Sequence, residues 1–106
     1  MTIAQKGQFT PDGVDAIALH EEDSVATVLR AVAKGEDFVV GCPGKQIRLR
    51  ALDDIPIYHK VALTDLPAGA TVHKHGHWIG RTTTAVATGV LVHIHNMAGR
   101  NAGNDC

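Results

Sequence analysis

A chain of 106 residues with 44% hydrophobic and 20% charged side chains has the size and make-up of one folded domain; a domain this small buries roughly two-thirds of its unfolded surface. Ten basic against eleven acidic groups leave a formal charge of -1, so there is no electrostatic case for binding nucleic acid or an anionic membrane. The start lacks a secretory signal, and no stretch reaches the roughly 18 apolar residues of a membrane span. Cys42 and Cys106 form neither a CxxC nor a disulfide framework. The expected setting is the cytoplasm.

Residues 1–14 are polar, contain Gly7, Pro11 and Gly13, and read as a flexible leader. Residues 16–19 suit a short strand. An acidic turn follows, with Asp23 or Ser24 placed to cap an α-helix over about residues 25–34. There Val25, Val28, Leu29 and Val32 fall at helical spacing, and Gly35 suits a left-handed C-cap. Residues 38–40 and 46–50 read as paired strands around the turn Gly41-Cys42-Pro43-Gly44. Residues 58–63 read as a further strand with His59, Val61 and Leu63 on one face and Lys60 and Ala62 on the other, so His59 and Lys60 diverge. A small-residue turn containing Gly leads into a strand at residues 32–38, 66–72 and 86–92. The predicted fold is therefore mainly β with one α-helix, its short strands in a small folded-over sheet. The domain is assigned to residues 15–97, with 98–106 as a flexible tail.

Six of the seven histidines lie between residues 59 and 96. If residues 91–96 are extended, Val92 and Ile94 face a core while His93 and His95 project together from the other side. Two neutral imidazoles on one face suit iron, manganese or zinc, and the adjoining Asn96 amide can hold a carboxylate or orient a ligand. The plain alternative is a solvent-facing strand that carries histidines. His73, His75 and His77 also alternate, but Gly76 implies a turn that breaks their shared face, and they read as surface groups. His20 precedes the predicted helix start, where an anion would be favoured, and Lys74 and Arg81 can grip a carboxylate. No GxSxG, HExxH, GxGxxG or P-loop is present.

Several separated motifs occur in order: His20 with Asp23-Ser24-Val25-Ala26, Asp54-Ile55-Pro56, His59-Lys60-Val61-Ala62-Leu63, Asp65-Leu66-Pro67-Ala68-Gly69, Lys74-His75-Gly76, Ile79-Gly80-Arg81-Thr82-Thr83 and Val92-His93-Ile94-His95-Asn96. Together they resemble the small domain of the altronate and galactarate dehydratase family, over about residues 18–97. Ser24 stands where that family often has Asn, Tyr58 where Gly usually precedes His-Lys, and His75 where an aromatic is common.

The resemblance implies a SAF domain of the β-clip fold. It implies either a free-standing small subunit, as in the similar sulfolactate sulfo-lyases, or the N-terminal piece of a longer chain. The implied activity is elimination of water from a sugar acid, aided by a divalent metal, Fe2+ or Mn2+, bound mainly with a large catalytic partner that supplies most ligands and the base. In this chain the implied catalytic residues are His20, His59 and Lys60, the substrate-binding residues Lys74, Arg81 and Asn96, and the metal ligands His93 and His95. Only one of His59 and Lys60 is expected to reach the site, and Arg81 is expected to buttress a strand pair. The alternatives are a sulfo-lyase small subunit, with sulfite leaving in place of water, and a non-catalytic carbohydrate-binding or regulatory SAF module. Self-association of the isolated chain is left open.

Overall fold

The computed structural model describes residues 13–99, which form nine strands in two sheets. The first sheet contains β1 (Ala16–Ile17), β2 (Val25–Val28), β3 (Asp37–Cys42), β4 (Lys45–Arg50), β5 (Lys60–Ala62) and β8 (Leu91–Val92), in the order β4-β3-β1-β2-β5-β8. Its neighbours are antiparallel except β1 and β3. The second sheet, β6-β7-β9, is antiparallel and built from β6 (Thr71–Lys74), β7 (His77–Thr82) and β9 (Met97–Gly99). Most of the expected leader and tail lie outside the described residues; Val14 is buried. No helix long and apolar enough to cross a membrane occurs among the described residues.

A single backbone device recurs at four places and explains the folded-over shape. Val32 and Ile55 exchange two backbone hydrogen bonds as an isolated antiparallel bridge, and Leu66 and Val86 do the same. Three residues beyond each bridge residue the chain enters the left-handed region, at Gly35 (φ 88°), Tyr58 (φ 68°), Gly69 (φ 83°) and Gly89 (φ 91°). Each of these donates its N–H to a carbonyl just ahead of the opposite bridge residue: Gly35 to Ala51, Tyr58 to Val28, Gly69 to Thr82 and Gly89 to Ala62. The β3–β4 hairpin separates the first pair of turns, and the β6–β7 hairpin the second. β5 follows the second turn of the first pair, β8 the second turn of the other, and the two strands pair antiparallel. The turn at residues 55–58 is the one the sequence hides, because Tyr58 occupies the position that glycine holds in the other three.

The helix expected over residues 25–34 is absent; β2 and a turn occupy that stretch. The same residues serve a different end. β2 lies between β1 and β5 and is buried on both faces, Val25 joining one core and Ala26 and Val28 the other. A β-branched run suits such a two-sided strand. Gly35 does adopt the left-handed conformation, but as the third residue of a turn closed by the Glu36 N–H donating to Ala33 carbonyl.

One core gathers Val28, Val32, Phe38, Val40, Ile55 and Val61, and the other joins the two sheets through Val25, Ala62, Leu66, Val72, Val86 and Val92. Each fully buried side chain of this size contributes about 1.5–3 kcal/mol. With cores on both sides, β5 is fixed in position, and so are the residues on either flank of it.

Candidate functional site

The β5–β8 ladder pairs Lys60 with Val92, so the preceding residue of one strand meets the following residue of the other. The His59 and His93 rings lie 5.0 Å apart between centroids, tilted by 54°. His59 Nδ1 lies 3.1 Å from the Ile57 carbonyl oxygen. A carbonyl only accepts, so Nδ1 carries a proton, and in the neutral ring Nε2 then presents its lone pair, the arrangement that readies an imidazole for a metal or a proton.

His93 and His95 do not share a strand face. β8 ends at Val92, and residues 93–96 form a turn in which the Asn96 and Met97 N–H groups donate to the His93 carbonyl. The Asn96 side chain closes this turn: Oδ1 accepts the His93 N–H at 2.9 Å and Nδ2 donates to the Leu91 carbonyl at 2.8 Å. Buried to 4% exposure, the amide is committed to backbone. The histidine that the fold brings to His93 is thus His59, while His95 is exposed on the turn.

Lys60 points away from His59, as alternation requires. It is half-buried, and that desolvation, reinforced by the charge of Lys74 on β6, holds its amine below the ordinary lysine value. Across the β2–β5 ladder it faces Thr27, whose Oγ1 is buried without a hydrogen-bond partner.

His20 sits elsewhere, its ring filling the space a Cβ at Gly76 would need, with Nδ1 accepting the Glu22 N–H at 3.3 Å. What holds this corner is Asp23. Its side chain is 0% exposed and accepts N–H bonds from Leu19 and His20, both at 3.2 Å, His75 at 2.8 Å and Gly76 at 2.7 Å. The Ser24 Oγ accepts the His73 N–H at 2.9 Å beside it. Asp23 and Ser24 therefore tie β2 to the β6–β7 hairpin instead of capping a helix. His75, with φ 53°, keeps Nδ1 buried without a hydrogen bond 4.0 Å from the Asp23 carboxylate. Arg81 braces the second sheet, its guanidinium 5.3 Å above the Trp78 ring and donating to the Gly69 carbonyl at 3.3 Å.

Imidazole nitrogens suit a divalent transition ion, and the Nδ1 contact of His59 leaves its Nε2 as the ligating atom. No group of three or more His, Cys, Asp or Glu converges among the described residues. Two imidazoles at one corner would supply two ligands of a metal site and no more.

The sheet order, the paired turns and the histidine corner define a small all-β domain. By its sequence the chain belongs to the family of altronate/galactarate dehydratase SAF domains, which matches residues 14–100. It is 40% identical over 80 residues to altronate dehydratase of Escherichia coli, an alignment covering 76% of this chain but 15% of that protein. The similarity to the (2R)-sulfolactate sulfo-lyase subunit alpha of Chromohalobacter salexigens is 30% over 87 residues, covering 79% of this chain and 93% of the relative. The corresponding subunit of Paracoccus pantotrophus is 47% identical over 58 residues, 55% of this chain and 87% of the relative. The chain thus spans about one-seventh of the length of the altronate dehydratases it matches and nearly all of the sulfo-lyase subunits.

Proposed function

We propose that this domain is the small subunit, or the N-terminal domain, of a metal-dependent sugar-acid dehydratase and completes an active site shared with a large catalytic chain. The observation that carries the reading is the His59–His93 pair, with its fixed tautomer, in a chain of this family. Removing a proton next to a carboxylate builds negative charge on that carboxylate, and the reaction needs cations around it and an acid for the leaving hydroxyl. The role of a bound Fe2+ or Mn2+ is Lewis-acid polarisation of the substrate oxygens. His59 and His93 would contribute to holding it, with further ligands and the base from the partner. Asn96 acts by fixing the turn that carries His93, while Lys60, directed away from His59, and Lys74 stand outside this corner. His20, Arg81 and His95 stand further out, His20 and Arg81 acting through the hairpin they brace.

The test is dehydration of altronate by the reconstituted complex, with metal content measured alongside. His59→Ala and His93→Ala are each expected to lower turnover at least a hundredfold and to reduce bound metal. Full activity in both would remove the pair from the site.

A second reading, elimination of sulfite from sulfolactate, is favoured by matches that cover 87% and 93% of the length of the sulfo-lyase subunits. It uses the same corner on this chain, and the same complex assayed on both substrates separates the two.

A further inference from the structure

We propose that Ile57, Tyr58 and Ile94 form the apolar anchor by which this domain docks on a large lyase chain, with Tyr58 at its centre; this rests on the shared-site reading above. These side chains are 44%, 69% and 82% exposed. Ile57 and Tyr58 immediately precede His59, and Ile94 immediately follows His93, so the apolar groups flank the two touching rings.

The backbone beneath them is rigid. Tyr58 donates its N–H to the Val28 carbonyl, the His59 N–H donates to Pro56, and the Asn96 amide closes the other turn. Side chains held outward on fixed turns lose little freedom when a partner covers them.

Tyr58 carries the argument furthest. The three equivalent turn positions are Gly35, Gly69 and Gly89, and only Tyr58 places a side chain in a left-handed conformation that such residues rarely adopt. With more than two-thirds of the residue exposed, packing inside the domain does not compensate for that strain. An outward aromatic kept at a strained position beside a reactive pair points to a contact made outside the domain.

The occupant is set by what this domain lacks. Two imidazoles do not complete a metal site, and the related altronate dehydratases carry the matching segment as 15% of a much longer chain. A surface that supplies the missing ligands must close over the rim of the His59–His93 corner, where these three side chains stand.

The experiment uses the full chain and the large lyase chain with which it co-purifies, each then prepared separately. Calorimetric titration gives the affinity, and thermal melts of the small chain alone give its stability. Tyr58→Gly is expected to raise the melting temperature by a few degrees yet weaken binding tenfold or more, roughly the effect of truncating a central aromatic. Ile94→Asp is expected to weaken binding about tenfold with the melting temperature unchanged, and Tyr58→Phe to bind within about threefold of the parent. Parental affinity in both Tyr58→Gly and Ile94→Asp would overturn the anchor while leaving the shared-site reading intact. Dimerisation of the small chain that Ile94→Asp abolishes would assign the face to a second copy. Failure to find any large lyase partner would overturn the functional reading, and the anchor with it.

Discussion

Replacing Asp23 with Ala should nearly unfold the domain. The two short bonds, from His75 at 2.8 Å and Gly76 at 2.7 Å, are partly buried, and charge-assisted bonds of this kind contribute about 1.5–3 kcal/mol each. The bonds from Leu19 and His20, at 3.2 Å on the exposed side, can be taken over by water and add about 0.5 kcal/mol each. The sum is about 4–7 kcal/mol, a large part of the roughly 5–15 kcal/mol typical of a whole domain. Asp23→Asn keeps the volume and one acceptor oxygen but turns an NH2 toward donors, so a loss of about 2 kcal/mol is expected. Urea titrations followed by circular dichroism and by Trp78 fluorescence measure both variants. A loss below about 1 kcal/mol in Asp23→Ala would show that the hairpin is held by other contacts and that the carboxylate does not tie the two sheets together.

The turns and the lysine pair give two further expectations. Gly69 and Gly89 have the same backbone conformation, but a Cβ at Gly69 meets open space, whereas one at Gly89 collides with the Arg50 carbonyl oxygen. Gly69→Ala should therefore cost about 1 kcal/mol and Gly89→Ala about 3 kcal/mol or more in thermal melts; equal costs would refute the account. Lys60→Met should stabilise the isolated domain, since it removes a half-buried charge that faces Lys74. The folded-state pKa of Lys60 lies below the ordinary 10.5, so the unfolded chain binds more protons between those two values. Stability of the parent should rise with pH over that interval, and the rise should be absent in Lys60→Met; an unchanged slope would show that Lys60 is not desolvated.

The parts of the fold that could be read from the sequence are those set by neighbours in the chain. Alternation located the β3–β4 pair and the divergence of His59 and Lys60, and Gly76 marked the β6–β7 turn. Residues 25–34 misled because an acidic start, helical spacing and a closing Gly serve a strand and turn equally well. What decides between them is burial on both faces of β2, which depends on β5, more than thirty residues away. The His93-x-His95 pattern failed for a local reason: Asn96 sits three residues after His93, where its amide can close a turn and stop the strand. Asp23 and its partners at residues 75 and 76, like the meeting of His59 with His93, depend on register between distant segments. No local periodicity carries that information.

The repeated turns also give the chain two copies of one architectural device, joined through the antiparallel β5–β8 pair. At corresponding positions the second copy has Gly89 and Val90 where the first has Tyr58 and His59. A duplicated frame lets the turn of one copy keep glycine and so preserve the scaffold. The corresponding turn is then free to carry the strained Tyr58 and, next to it, His59, whose ring meets His93 from the second copy.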